Sequence, residues 1–306
     1  MDNLADNSRR IFHKIHVKQK DCKEATYRMI NSLSTEYLNL DKDYFVGKIC
    51  ADLGCGSAAV GTVNMLKMKA KFVYLSDVNE SFFESAKGIL NSNVEFHNRW
   101  QTDVADATKK LPYEDKSMDF VLAQGFFQHI ENELNVLSEI NRILKPRGKA
   151  YVDINGKGGL IGNFVMKTMR EEYIENKSFK DYIEKDLSVG SLKKIICGMK
   201  ESIEKDNSTP YKNCLKFLDS LSDLIDEDLI LTIEDRLFAP IYRQTSENDF
   251  IDKLKRSGFS EWYRVSRKPS YQNIRKILAP IYESYDSQLA KILFGDGGVM
   301  NFVITK

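Results

Sequence analysis

The chain has 306 residues, 42% of them apolar and 29% charged, an ordinary globular composition long enough for one large domain or two small ones. Lysine and arginine total 45 against 44 acids, a net charge of +1, so no global field exists to concentrate nucleic acid or an anionic membrane, and neither is an expected partner. No apolar run approaches the roughly 20 residues of a spanning helix, and Met1 to Arg10 is too polar for a secretory signal, which points to a soluble, cytoplasmic protein.

The basic residues Arg9, Arg10, Lys14, Lys18 and Lys20 are interleaved with Asp2, Asp6 and Asp21, and read as a solvated helix face rather than a transit peptide. Ala25, Met29, Ile30, Leu33, Tyr37 and Leu38 have mostly helical spacing, which predicts a helix over 22–39 that packs on a sheet edge or covers a pocket. The five cysteines form no CxxC pair and the four histidines no HExxH, so no metal site is expected; Cys50 and Cys55 flank a strand and act as small hydrophobes.

From Ile49 to Ile154 short apolar runs alternate with helical segments, the pattern of a parallel sheet covered on both faces. Strands are predicted at Ile49–Leu53, Phe72–Ser76, Trp100–Val104, Met118–Ala123 and Ala150–Ile154. Ser81 is positioned to cap a helix running through Leu90, and Leu134, Leu137, Ile140, Ile143 and Leu144 line one face of another, which Pro146 and Gly148 stop. Right-handed crossovers place every strand's C-terminal end at one rim. Residues 156–240 break this rhythm: they are rich in lysine and glutamate, helically periodic, and read as an insertion. Beyond it come a helix at Ser246–Ser257, a strand at Trp262–Ser266, a helical stretch from Tyr271 to Phe294, and a strand at Val299–Thr305. Gly295-Asp296-Gly297-Gly298 lacks the lysine of a phosphate loop and reads as the turn into that last strand. The expected fold is α/β and Rossmann-like, a mostly parallel seven-stranded sheet with helices on both faces and a helical lid insertion. Its parts are 1–155, an N-terminal helix with the cofactor-binding half of the core; 156–240, the lid; and 241–306, the remainder of the core.

Asp52-Leu53-Gly54-Cys55-Gly56-Ser57 directly follows a hydrophobic strand. Glycines there let the backbone turn sharply and approach a ligand closely. An acid, Asp77, ends the next strand at about the separation, roughly 20 residues, at which Rossmann-type sites place a carboxylate for ribose hydroxyls.

On these residues the chain resembles the class I S-adenosylmethionine methyltransferases, across Ile49–Ile154 and again across Ser246–Lys306. The resemblance extends through Asp106-Ala107-Thr108-Lys109-Lys110-Leu111-Pro112-Tyr113, Ser117-Met118-Asp119-Phe120-Val121, Phe127-Gln128-His129-Ile130 and the run from Glu139 to Gly148. It implies that the Asp52–Gly56 loop touches the methionine part of S-adenosylmethionine, that Asp77 binds the ribose and that Asp106 accepts from the adenine amino group. Cys55, Val78, Ala107 and Gln124 complete the expected cofactor contacts, with S-adenosylhomocysteine as product. Ala58 stands where the family commonly has a third glycine. A dehydrogenase reading would leave the "LPY" and "LKPRG" segments unexplained.

Several roles stay open at this point. Asp52 either organises its loop or also faces the cofactor ammonium. His129 is the one histidine placed to act as a general base and equally suits a structural role; Tyr27, Tyr242 and Asp153 are weaker base candidates. Of Phe126 and Phe127 one is expected in the core and the other against the cofactor. Tyr27, Tyr242 and Arg243 are candidate substrate contacts, Arg243 as a clamp for a carboxylate or phosphate; Phe164, Met166, Met169, Tyr173 and Phe238 line the lid or build its core. The expected function is methyl transfer to an oxygen, nitrogen or sulfur atom of a small molecule. An RNA or protein acceptor docked on the insertion, or a binding protein without turnover, are the alternatives, and monomer and homodimer are both compatible with the sequence.

Overall fold

A computed structural model describes residues 4–22, 33–205, 212–265, 287–296 and 298–306. Tyr27, most of the helix expected over 22–39 and most of that expected over 271–294 lie outside them.

An N-terminal helix α1 (Leu4–Asp21) precedes the sheet. The core then runs β1 (Ile49–Leu53), α2 (Val60–Lys67), β2 (Phe72–Asp77), α3 (Phe82–Asn91), β3 (Trp100–Val104), β4 (Met118–Ala123), α4 (Glu133–Ile143) and β5 (Leu144–Asn155). After the insertion come α10 (Glu247–Arg256), β6 (Glu261–Arg264), α11 (Gln288–Phe294) and β7 (Val299–Thr305). The strand order is β3-β2-β1-β4-β5-β7-β6, with β1 to β5 parallel and β7 antiparallel to both neighbours.

Alternation along the strands divides the core between the two faces of the sheet. Val121, Ala123, Val152 and Ile154 meet α4 and α10 through Leu137, Ile140, Phe250 and Leu254, while Phe120, Leu122, Val73 and Leu75 meet Met65, Leu66, Ala86 and Phe45 on the other side. Both faces are covered, which is why these strands read as continuous apolar runs.

Two local expectations are corrected. Ser81 does not cap α3: its backbone is already helical and its hydroxyl donates to Asn79 Oδ1 at 2.7 Å, closing the turn upstream. The strand expected at Ala150–Ile154 begins at Leu144, where the chain turns extended two residues before Pro146, so neither Pro146 nor Gly148 is needed to stop α4.

The insertion is helical throughout its described residues: a π-helical turn at Ile161–Met166, then α5 (Lys167–Glu175), α6 (Lys177–Lys185), α7 (Val189–Lys205), α8 (Lys212–Asp223) and α9 (Glu227–Phe238). It leaves and rejoins the core at one point. Thr245 donates its N–H to the Asn155 carbonyl at 3.0 Å and Lys157 donates to the Thr245 carbonyl at 2.8 Å, beside a backbone bridge between Gly156 and Thr245. That point is the C-terminal end of β5, so the insertion is anchored at the ligand rim of the sheet. No helix among the described residues is long and apolar enough to cross a membrane.

Candidate active site

A cavity of about 910 Å³ opens where the C-terminal ends of β1, β2, β4 and β5 face α1, α8 and α9. Its sheet-side floor is the loop after β1. Gly54 and Gly56 take φ of 69° and 61°, the left-handed region that glycine enters freely, and Gly54 and Cys55 both donate to the Ser76 carbonyl, at 2.8 and 3.1 Å. A Cβ on Gly54 would stand 3.0 Å from the Phe126 ring, and one on Gly56 2.8 Å from the His16 ring, so the bare backbone is what faces those side chains.

Three carboxylates stand around this floor. Asp52 is buried and accepts from the Thr62 N–H at 2.8 Å and the Thr62 hydroxyl at 2.7 Å, which ties the end of β1 to α2. Burial pushes its pKa up to about 6; the Thr62 bonds work against that shift and the nearby Asp77 charge adds to it. Asp77 accepts from Gly56 N–H at 3.1 Å and Asn79 N–H at 2.9 Å, and burial raises its pKa despite those bonds. Asp106 accepts from the N–H and hydroxyl of Thr108, at 2.9 and 2.6 Å. Two raised carboxyls side by side make a site that favours a bound cation, because positive charge restores their ionised forms.

Residues 51–152 match the methyltransferase domain family. They form a methyltransferase domain of the class I, S-adenosylmethionine-dependent type. The sterol 4-C-methyltransferase of Caenorhabditis elegans is 34% identical over 107 residues, a match that spans 34% of this chain and 30% of that protein, so the chain matches less than a third of this relative's length. Among solved structures, PKMT2 from Rickettsia typhi is similar at a TM-score of 0.52 with 16% identity, over 90% of this chain and 51% of that one. A chain from the complex of the Haloferax volcanii Trm112 methyltransferase activator with a methyltransferase gives a TM-score of 0.50 with 14% identity, over 97% and 96%. At such identities these two structures speak to the fold, and the fold they share is the Rossmann-like sheet described above.

S-adenosylmethionine is the methyl donor of this domain family, and the cavity suits it in shape and sign. The glycine floor admits close approach, and the raised Asp52 and Asp77 favour the donor's positive sulfonium and ammonium groups. Asp52, Gly54, Cys55 and Asp77 line the cavity, as do Val78, Asp106, Ala107 and Gln124. Gly56 lies immediately behind, covered by the His16 ring. Val78 is 38% exposed, an apolar side chain left open toward the cavity beside Asp77. Of the two phenylalanines, Phe127 is fully buried and packs on Phe250, and Phe126 lines the cavity.

His129 also lines it. Its Nδ1 lies 2.9 Å from the Ile241 carbonyl, which can only accept, so Nδ1 carries the hydrogen and Nε2 presents a lone pair. Burial lowers its pKa, and the ring is therefore neutral near pH 7. Tyr242 lines the cavity as expected, and so does Asp153, which accepts from the Gly125 N–H at 2.6 Å.

Arg243 is not brought in. Its guanidinium turns outward to the Glu131 carbonyl, 2.5 Å away, and the arginine at the cavity is Arg236. The reason lies past the helix: α9 ends at Phe238, and in the non-helical chain after it Tyr242 faces the cavity while the next side chain, Arg243, faces away. Tyr173 and Phe238 pair with each other, ring centroids 5.7 Å apart, and belong to the insertion's own packing, whereas Met166 reaches the cavity.

Sequence reasoning missed a second set of cavity residues. Phe12, Ile15 and His16 come from α1, on the side away from its exposed basic residues. Their i, i+3, i+4 spacing was the available signal. Lys18 fastens α1 to α9 through Glu234 at 2.6 Å. Asp235 also lines the cavity, and its signal was an acid four residues after Leu231 on the inward face of α9.

Proposed function

We propose that the protein transfers a methyl group from S-adenosylmethionine to a small molecule held between the sheet rim and the helical insertion. The observation that carries this reading is one cavity with two unlike walls. The residues expected at the cofactor, Gly56 apart, line one side; Phe217 and Leu221 of α8, Leu224 just past its end, and Leu229, Leu231 and Asp235 of α9 line the other. Its volume is at the upper end of the roughly 300–1,000 Å³ typical of ligand sites, which suits donor and acceptor together.

In this reading Asp77 holds the ribose, Asp106 the adenine amino group, and Asp52 fixes the loop and faces the ammonium, with Cys55, Val78, Ala107 and Gln124 around them. S-adenosylmethionine supplies an electrophilic methyl. The chain's own task is to align an acceptor, exclude water and hold a proton. Alignment alone supplies roughly 7–11 kcal/mol of barrier reduction. His129, neutral and with its Nε2 lone pair at the cavity, is the proton acceptor, and Tyr242 contacts the acceptor molecule. Residues 156–240 act as the lid that selects the acceptor, between the cofactor half at 1–155 and the returning core at 241–306.

The test is a transfer assay with methyl-labelled donor over a panel of small oxygen, nitrogen and sulfur acceptors. Label should move to at least one small acceptor, and His129→Ala should lower turnover roughly 10²–10⁴-fold with little change in donor affinity. Label moving only to RNA or protein, or to nothing while donor binds, would reject the small-molecule reading.

A further inference from the structure

The insertion brings Asp235 to face His129 across the cavity, with Asp235 Oδ1 3.9 Å from His129 Nε2. That distance is too long for a hydrogen bond, and the tautomer forbids one, since Nδ1–H is already given to Ile241 and both facing atoms are acceptors. His129 Nε2 is buried and has no hydrogen-bond partner, and the His129 side chain is 7% exposed. A buried acceptor left unmet costs about 1–3 kcal/mol, so the pair is built to be completed by something that donates.

Resting on the methyltransferase reading, we propose that the acceptor is an apolar primary amine whose nitrogen sits between His129 Nε2 and Asp235 Oδ1. A hydroxyl has one hydrogen and satisfies one of the two acceptors. An ammonium satisfies both and brings the charge that the carboxylate lacks. The surroundings agree in sign and in polarity. Asp52, Asp77, Asp106, Asp153 and Asp235 line the cavity with Arg236 as the one lysine or arginine among its described lining residues, an excess of negative charge beyond what one donor cation consumes. The Phe12 and His129 ring centroids are 4.6 Å apart, which brings an aromatic ring next to the histidine. Phe217, 62% exposed, with Leu221, Leu224 and Met166, offers an apolar surface for the rest of the molecule.

The chemistry balances. The bound ammonium gives one proton to His129 Nε2, and the resulting imidazolium is held by Asp235. The freed nitrogen lone pair forms the new N–C bond as the methyl's C–S bond breaks, and that bond's electron pair stays on sulfur. The product is a secondary ammonium with two N–H hydrogens.

Phenethylamine, phenethyl alcohol and hydrocinnamate share one apolar body and differ in the head group, and they serve as probes. In the presence of saturating S-adenosylhomocysteine, the amine should bind the full chain by calorimetry at least 10-fold more tightly than either of the others. Asp235→Asn, an isosteric change at a half-buried position, should weaken the amine roughly 10–100-fold and leave S-adenosylhomocysteine affinity unchanged. Preference for the alcohol or the carboxylate, equal response to all three, binding of none, or an amine affinity indifferent to Asp235→Asn would overturn the proposal while the methyltransferase reading stands. Failure of S-adenosylhomocysteine itself to bind would instead overturn the reading beneath it.

Discussion

Long-range strand pairing sets the sheet wall of the cavity. Asp52, Asp77 and Asp153 lie near the C-terminal ends of β1, β2 and β5, and registers such as Asp52 with Leu122 and Asp77 with Val104 leave them no freedom to slide. The helical wall is set by weaker means. Away from α9, which buries Ile230, Leu231 and Leu237, its core is the small cluster of Ile196, Leu218 and Ile225 with half-buried neighbours, α5 has no buried residue, and Phe217 is exposed at the cavity. A rigid polar wall facing a shallowly packed apolar one is what a fixed cofactor and a selectable acceptor call for. It implies that the two walls respond differently to substitution, to pH and to ligand.

The largest contrast should appear in stability. Phe250→Ala removes a fully buried ring packed against Phe127 and Phe302 and should cost about 3–5 kcal/mol in urea unfolding. Leu218→Ala, in the small insertion cluster, should cost about 2 kcal/mol, the low end for leucine truncation. Equal losses would show that the insertion is as firmly packed as the core, and the contrast between the walls would fall.

Ligand affinity gives the next effect. Asp77→Ala should weaken S-adenosylhomocysteine roughly 10–100-fold, by removing a buried acceptor and stranding the Gly56 and Asn79 N–H groups, whereas Leu224→Ala on the opposite wall should leave it unchanged. A Leu224→Ala loss matching that of Asp77→Ala would put the cofactor on the wrong wall.

The smallest effect is in pH, and the two walls contribute with opposite sign. Burial holds Asp52 near 6, above its unfolded 3.8, so its contribution to stability is present at low pH and lost as the pH rises through about 6. Burial depresses His16 to about 4 from 6.5, so its contribution is present above 6.5 and lost as the pH falls through about 4. Unfolding midpoints without ligand should therefore change little between these limits. Donor affinity should not be so flat: a cation prefers ionised Asp52, and binding should weaken when calorimetry is moved from about pH 7.5 to about pH 5. Affinity that rises on acidification would contradict Asp52's place beside the donor.

The same contrast explains what could be read before the structure was known. Short continuous apolar runs and glycine at strand ends are local and strong, so β1, β4 and β7 begin and end at the residues their apolar runs predict, and the Asp52–Gly56 loop and Asp77 converge. The helical wall depends on which face of each helix turns inward, and that is decided by partners far along the chain. α1 meets α9 through Lys18 and Glu234, 216 positions apart, so its exposed basic residues mark a solvated face, while nothing local tells what Phe12, Ile15 and His16 on the other face will meet. Arg243 failed for a related reason: one residue of non-helical chain separates the inward side chain from the outward one, and no periodic pattern marks where α9 gives way to it.

Calorimetric titration of the purified chain with S-adenosylhomocysteine and, in parallel, with a nicotinamide dinucleotide tests the central claim most directly, because the claim is that the sheet wall is a sulfonium-nucleoside site. Saturable binding of S-adenosylhomocysteine, weakened by Asp77→Ala, and no heat from the dinucleotide is the predicted result. Tight dinucleotide binding with no response to S-adenosylhomocysteine would contradict it.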